Sequence, residues 1–286
     1  MSTEQAEQAG LLFGGRAQAG HRVEVPYGLP HKAPKDGGPL KLESSQRTRG
    51  IVHVVLGAVA ALQLGTNRLH IYENGIGALN LPFDETQSGW EVSRAVHPRT
   101  LRMLERLIGE ISGEVFRVEM PFLFQTKAES LGHPEVQRFA HGIRSTFSCD
   151  RFPLWREGKR QCGTCSSCVL RRLALESAGL AQFDPADQYA FDVESPEAVP
   201  KRSAAFVLDK FDAQAEHFLQ AMQHANPWRE LTRHCPELRD VEAALVDGGL
   251  DLPDVHEKLM RLLNQHAMEW MNFSGRGALA RYLHAA

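Results

Sequence analysis

Four of the five cysteines in this 286-residue chain lie in one short segment, and this cluster constrains the fold more than any other feature. Cys149 is followed by Cys162-Gly-Thr-Cys165-Ser-Ser-Cys168, whereas Cys235 lies far along the chain. Secreted disulfide scaffolds are usually shorter and spread their bridges through the chain. Four sulfur ligands at this spacing predict a structural zinc site, because zinc prefers a closed tetrahedron of thiolates. An iron–sulfur cluster and a redox pair are the alternatives.

The composition is that of an ordinary globular protein, with 43% hydrophobic and 23% charged residues. The net charge of -3 does not favour a protein coated with basic charge for nucleic acid. No apolar run approaches the roughly 20 residues that cross a bilayer, and the polar N-terminus is unlike a signal peptide. We therefore expect a soluble, cytoplasmic protein with no membrane partner.

Basic residues flank the cysteine segment on both sides. They are expected to form a solvated rim, and phosphate or nucleic-acid binding is the alternative. The residues concerned are Arg156, Lys159, Arg160, Arg171 and Arg172.

Helical and strand patterns alternate through the first two thirds of the chain. The apolar run over 49–64 predicts a buried helix, and 68–72 and 115–120 predict strands. Between the strands, 100–111 has helical periodicity and is closed by Gly113. This alternation is typical of a parallel α/β layer.

The chain is expected to divide into two domains. Residues 1–192 form an α/β domain with a zinc loop at 149–168, and 193–286 form a linker and a small helical domain. The acidic, proline-bearing stretch 184–200 is predicted to be linker. The tail has helical periodicity over 203–224, 236–246 and 254–272, with Pro227 among the breaks.

The segment around the cysteines, SCDRFPLWREGKRQCGTCSSCVLRRLALESAGL, resembles the zinc loop of the 7-cyano-7-deazaguanine synthase (QueC) family. Four earlier segments stand in the order expected of QueC-like proteins: SSQRTRGIVHVVLGAVAA, IYENGIGALNLP, SRAVHPRTL and FLFQTKAESL. The match covers about 43–192 and is closest to a divergent branch found in bacterial defence cassettes. It implies an incomplete adenine-nucleotide alpha-hydrolase-like (PP-loop ATP-pyrophosphatase) parallel sheet, with a zinc loop and a C-terminal helical appendage.

The resemblance also implies an activity, that of an ATP-dependent carbon–nitrogen ligase in 7-deazapurine biosynthesis. Such enzymes adenylate the carboxylate of 7-carboxy-7-deazaguanine, displace AMP with ammonia to give an amide, and dehydrate the amide to a nitrile after a second activation. ATP, magnesium and structural zinc are the expected cofactors. The ligand would be a deazaguanine-type molecule or a related carboxylate.

Two departures from the family pattern qualify this expectation. The phosphate-binding loop Ser-Gly-Gly-x-Asp-Ser has only Phe13-Gly14-Gly15-Arg16 as its nearest match, without its serines or aspartate. The first strand and this loop are therefore expected upstream of the sequence or on a companion chain. In addition, 81–85 reads Leu-Pro-Phe-Asp-Glu where the family has a Tyr-Pro-Asp-Cys-Arg-like run, so the substrate need not be the same acid.

Two alternatives to the enzyme follow from these departures. The chain could be a non-catalytic, zinc-braced subunit of a multi-protein, defence-type assembly, with a protein partner that supplies the missing half. It could also be a relative that thiolates tRNA, although the modest charge and the lack of a spare cysteine outside the tail speak against this.

Candidate phosphate-binding residues precede two of the helices. Arg47 and Arg49 stand where the family has basic residues, ahead of the buried helix, where guanidinium groups suit a nucleotide phosphate. The alternative is a surface arginine pair. Lys127 matches a family lysine that could neutralise phosphate, whereas Glu129 is expected to cap its helix.

Glu73 and Asn74 follow a predicted strand at the edge where α/β proteins bind ligands. They are candidates for contacts to ribose, base or magnesium. The alternative is a turn in which Asn74-Gly75 supplies a positive φ. His97, before Pro98, is expected to be packed or capping rather than ligand-binding.

Overall fold

The computed structural model describes residues 49–82, 95–150, 161–192 and 205–275. Contacts between Cα atoms divide the chain into Met1–Gln46 and Arg47–Ala286, and all described residues belong to the second unit. The strand predicted over 21–25, the Gly14-Gly15 loop and most of the 81–85 run lie outside the described ranges.

The first two described ranges alternate helices with two short strands. Their elements are α1 (Arg49–Gln63), β1 (Arg68–His70), α2 (Gly75–Leu79), α3 (Pro98–Ser112), β2 (Arg117–Glu119), α4 (Lys127–Leu131), α5 (Pro134–Arg138) and a 3-10 helix (Ala140–Ser145). The other two ranges are helical. They contain α6 (Ser166–Ser177), two 3-10 turns (Ala181–Phe183 and Ala186–Gln188), α7 (Ala205–Met222), α8 (Pro227–His234), α9 (Glu237–Asp247) and α10 (Leu252–Ser274).

Strands β1 and β2 pair in parallel, so the predicted parallel arrangement is confirmed in the described part of the chain. The register places Leu69 opposite Val118. Helices α1 and α3 cover the sheet through a core that includes Val54, Leu104 and Phe116. The fold is thus mixed and rich in helix, with a small two-stranded parallel sheet in the described residues.

Local capping explains where the helices before and after β2 begin and end. The His97 ring accepts a hydrogen bond from the Arg99 amide at 3.2 Å, so it caps α3 as expected. Gly113, with a φ of 73°, ends that helix. Thr126 and Glu129 form a reciprocal capping box at the start of α4, which confirms the capping role of Glu129.

The C-terminal helices share one hydrophobic core with the α/β elements. Leu79 and Leu173 lie in the same cluster as Phe211, Leu262 and Trp270. The indole of Trp270 is fully buried. The tail is therefore packed on the α/β elements, and a domain boundary after residue 192 stays a prediction from sequence.

Two details of the C-terminal half differ from the sequence expectations. Pro227 does not merely break a helix, because Asn226 caps α8 and proline suits its first turn. The linker predicted over 184–200 is wrong for 184–192, since Asp184 is 0% exposed and Tyr189 is 5% exposed. Residues 193–200 lie outside the described ranges.

None of the helices in the described ranges combines the length and apolarity that crossing a lipid bilayer requires.

Candidate metal centre and adjoining pocket

The four clustered cysteines come together around one point. Cys149 follows the 3-10 helix, and Cys162 follows Gln161, which forms an isolated bridge with Tyr189. Cys165 is the N-cap of α6, and Cys168 lies in its first turn. Their sulfur atoms all lie within 4.8 Å of one another. The Sγ atoms of Cys162 and Cys168 are 3.8 Å apart, which matches the edge of about 3.8 Å in a tetrahedron with zinc–sulfur bonds of about 2.3 Å.

A tight turn after Cys162 shapes this cluster. Gly163 has a φ of 79°, and a Cβ atom there would lie 1.8 Å from the carbonyl oxygen of Phe191, so only glycine fits. The amides of Thr164 and Cys165 each donate to the Cys162 sulfur at 3.4 Å. The amide of Cys162 donates to the Cys149 sulfur, also at 3.4 Å. Such donors stabilise thiolate charge.

The thiols are coupled electrostatically. Hydrogen bonds from the Cys165 and Cys168 thiols lower the pKa of Cys162. The contact with Cys162 raises the pKa of Cys165 to about 12. The contacts with Cys162 and Cys165 also raise the pKa of Cys168. Four adjacent thiolates need a cation, because like charges at this distance repel one another. The cluster is therefore compatible with zinc, and metal binding would release protons.

A buried ionic network fastens the cysteine segment to residues 184–192. The Asp184 carboxylate accepts hydrogen bonds from the Arg171 guanidinium at 2.9 and 3.1 Å and from the Tyr189 hydroxyl at 2.5 Å. Arg172 donates to the Asp184 carbonyl oxygen at 2.7 Å. Burial and the hydrogen bond to Asp184 raise the pKa of Tyr189. The network is satisfied internally, as buried charges require.

This network corrects the interpretation of the basic residues beside the cysteines. Arg171 and Arg172 are 5% and 8% exposed, so they form neither a solvated rim nor a phosphate-binding surface. The other three, Arg156, Lys159 and Arg160, lie outside the described residues. A sequence signal was present, because the two arginines interrupt an otherwise apolar helix, but their partner Asp184 was assigned to a linker.

A pocket of about 350 Å³ adjoins the cysteine cluster, within the usual range of about 300–1,000 Å³ for small-molecule sites. It brings together three of the five predicted binding residues, Glu73, Asn74 and Lys127. Its wall also includes Ser166 and Ser167, which lie between two of the cysteines. Arg47 and the side chain of Arg49 lie outside the described part, so their assignment stays a prediction.

The Glu73-Asn74-Gly75 segment has a structural role that differs from the turn considered as the alternative to ligand binding. Asn74 has a φ of −73° and caps α2, where it accepts the Gly77 amide at 3.1 Å. Its side-chain amide donates to Glu73 at 2.6 Å. Gly75 is needed for close packing, because a Cβ atom there would lie 2.2 Å from the Leu123 carbonyl oxygen. The alternative interpretation, a turn with a positive φ at Asn74-Gly75, is therefore wrong.

Lys127 lines this pocket, and its ammonium group has few partners among the described residues. Burial lowers its pKa, while the charge of Glu73 raises it and that of Arg171 lowers it. Within the described residues, the Lys127 ammonium donates no hydrogen bond and lies in no ion pair. A half-buried cation with free donors is suited to an anionic ligand.

Two further lining residues come from α10, which sequence reasoning placed outside the site. His266 is 5% exposed, and Glu269 is 7% exposed. Burial raises the pKa of Glu269, whose carboxylate accepts hydrogen bonds from Thr126 at 2.7 Å and Gln265 at 3.0 Å. The available signal was their i, i+3 spacing on the apolar face of the helix. That spacing alone does not indicate a binding site, because only the fold brings this face of α10 beside the start of α4.

Burial of His266 predicts a pH-dependent stability. Its pKa falls to about 4, against about 6.5 in an unfolded chain. The folded state therefore favours the neutral ring, and this contribution is complete above pH 6.5 and is lost as the pH falls towards 4. We expect a loss of about 3 kcal/mol.

Urea unfolding of the wild type and His266→Gln at pH 7, 5.5 and 4 measures this effect. Titration of carboxylates and thiols is common to both proteins, so the difference between them isolates His266. Parallel pH profiles for the two proteins would contradict the assignment.

Comparison with known proteins adds no relative. No protein-family model matches the sequence, and neither the curated proteins nor the solved structures include a match.

Proposed function

We propose that this chain is a QueC-like protein of the PP-loop ATP-pyrophosphatase type, in which structural zinc braces a pocket for a 7-deazaguanine-type or related carboxylate. The observation that carries the proposal is the position of Lys127. Its ammonium lines a pocket at the carboxyl end of β1, and the same pocket is walled by residues from the four-cysteine segment. Parallel α/β layers bind ligands at this edge.

Zinc has a structural role in this proposal. Four thiolates complete a tetrahedron and leave no coordination position for substrate. Because Ser166 and Ser167 lie between Cys165 and Cys168, the ion would fix one wall of the pocket. The nearby Arg171–Asp184 pair holds the middle of α6.

The chemistry expected of the complete enzyme is ATP-dependent activation of a carboxylate. A carboxylate oxygen attacks the α-phosphorus of ATP and releases pyrophosphate, and ammonia then attacks the acyl carbon and releases AMP and an amide. The amide oxygen then attacks the α-phosphorus of a second ATP and releases pyrophosphate, and loss of AMP, which carries the oxygen away, together with the N–H protons gives the nitrile. Lys127 would hold the anionic group of the substrate or a phosphate. The phosphate-binding loop would come from residues upstream of this sequence or from a companion chain.

Ligand binding tests this function directly. We expect the zinc-loaded protein to bind 7-carboxy-7-deazaguanine in calorimetric titrations and Lys127→Met to weaken binding about 10- to 100-fold, since a charge-assisted hydrogen bond contributes about 1.5–3 kcal/mol. Lys258→Met is the matched control, because Lys258 pairs with Asp254 on the outer part of α10. Equal affinities of the two variants would contradict the role of Lys127.

A second candidate function is a non-catalytic subunit of a multi-protein, defence-type assembly. A stripe of exposed apolar residues on α3 favours it, since Met103, Leu107 and Ile111 recur every four residues and are 64%, 52% and 78% exposed. Such stripes are typical of protein interfaces. Release of AMP from ATP and ligand distinguishes the two: a companion that restores AMP release supports the enzyme, and binding without turnover supports the subunit.

A further inference from the structure

The C-terminal helix α10 contributes to the pocket although it lies outside the part of the chain that resembles QueC. We infer that Glu269 and His266 are ligand-binding residues that accept hydrogen bonds from the N–H edge of a heterocyclic ligand. This inference deepens the proposed function and rests on it for the location of the site.

Hydrogen bonds fix the position of helix α10 beside the pocket. The Thr126 hydroxyl, at the N-cap of α4, donates to Glu269 in a buried hydrogen bond of 2.7 Å. Arg261 donates to Glu129 at 2.6 Å and also to the carbonyl oxygen of Phe124. Glu269 therefore bonds to the residue that precedes Lys127, and both Glu269 and Lys127 line the pocket.

Leu262 adds an apolar contact on the same helix. A Cβ atom at Gly75 would lie 2.4 Å from a methyl carbon of Leu262, so α10 lies directly against the Glu73-Asn74-Gly75 segment. The helix thus contacts both segments that carry the predicted binding residues. Its polar side chains are positioned by packing, as a specific site requires.

The α10 residues present more hydrogen-bond acceptors than the described protein residues satisfy. One carboxylate oxygen of Glu269 accepts from Thr126 and Gln265, while the other accepts no hydrogen bond from the described residues. His266 is neutral near pH 7 and makes no hydrogen bond within the described residues. Buried polar groups are normally paired, and a carboxylate is only an acceptor when ionised.

The α10 acceptors are not part of a metal-ligand cluster of three or more side chains in the described ranges. In the described ranges, the four cysteines are the only set of three or more His, Cys, Asp or Glu side chains whose ligand atoms lie within 4.8 Å of one another. The α10 residues therefore suit ligand N–H groups, and Lys127 suits an anionic substituent on the same molecule. A flat 2-amino heterocycle with a carboxylate has both features.

Calorimetric titration of the full-length, zinc-loaded chain tests the inference with three probes. They are 7-carboxy-7-deazaguanine, the same acid without its 2-amino group, and pterin-6-carboxylate, another 2-amino heterocyclic acid. For whichever of the two acids with a 2-amino group binds, we expect Glu269→Gln to weaken the affinity at least about 10-fold. The affinity for the acid without the 2-amino group should differ less than about 3-fold between the wild type and Glu269→Gln.

Two controls keep the result specific. Glu257→Gln changes an exposed carboxylate on the same helix and should bind every probe like the wild type. Zinc content and thermal midpoint should match the wild type for Glu269→Gln. If that variant does not fold, the NMR chemical shifts of the His266 ring nitrogens in the wild type serve as the test. They should change on addition of the acid with a 2-amino group that binds. Unchanged shifts would overturn the inference.

The outcomes separate this inference from the proposed function. Binding of the deazaguanine acid with the same affinity in wild type and Glu269→Gln overturns the role of α10 and supports the proposed function. Glu269-dependent binding of pterin-6-carboxylate alone supports the role of α10 and contradicts the deazaguanine assignment. Absence of binding for every probe overturns both.

Discussion

Replacing Cys165 with Ala is expected to abolish stoichiometric zinc binding and to unfold the segment over 149–179. The wild type should bind about one zinc per chain. Removal of one thiolate opens the tetrahedron at the residue where α6 begins, since Cys165 is the N-cap of that helix. Structural zinc contributes an apparent free energy of about 10–16 kcal/mol in zinc-finger peptides, comparable with the whole stability of a typical domain, about 5–15 kcal/mol.

Elemental analysis and hydrogen exchange measure the two parts of this prediction. Amides in 149–179 should exchange faster in Cys165→Ala, because α6 loses the ion that fixes its first turn. Cys235→Ala is the matched control, since Cys235 is a buried thiol in the main core, apart from the cluster, and its variant should keep the metal. A full complement of zinc in Cys165→Ala would contradict the four-ligand site, and bound iron would indicate an iron–sulfur cluster instead.

Replacing Asp184 with Asn should destabilise the zinc-loaded protein by about 3–5 kcal/mol, because it leaves buried arginine charge without its carboxylate. The change keeps the side-chain volume and a hydrogen-bond acceptor for Tyr189. It removes the negative charge that faces Arg171 at 2.9 Å and Arg172 at 4.0 Å. Arg172 retains Asp192 at 3.7 Å, so Arg171 carries most of the expected loss.

Urea unfolding at saturating zinc measures the loss. Asp187→Asn is the control, because Asp187 pairs with Arg144 at the surface, where an ion pair contributes about 0–1 kcal/mol. A free energy of unfolding for Asp184→Asn within about 1 kcal/mol of the wild type would show that the buried network does not hold the segment over 184–192.

These two changes act on the same helix, α6, at two different positions along it. The cysteine cluster holds the first turn of α6, and the Asp184 network holds its middle through Arg171 and Arg172. The pocket wall at Ser166 and Ser167 lies in the first turn. Loss of ligand binding in either variant is therefore expected as a secondary effect, in contrast to Lys127→Met, which should leave stability and zinc content unchanged.

The sequence by itself determined the features that depend on neighbours in the chain. The spacing of the cysteines predicted the four sulfur ligands. Three of them are close in sequence, because Cys162 begins a tight turn that leads directly into α6, where Cys165 and Cys168 lie. Capping residues predicted where α3 and α4 begin, since Thr126 and His97 bond to amides two or three residues away. Alternation of helix and strand predicted the parallel pairing of β1 with β2.

Only the tertiary structure decided which polar residues share a site. Glu269 meets Thr126 across 143 positions of sequence, and such a contact follows from how α10 packs against α4 rather than from any local pattern. Arg171 and Arg172 looked exposed because charged residues usually are, yet the fold buries them beside Asp184. Burial and long-range pairing depend on the whole core, so the composition of the pocket could not be obtained from motifs alone.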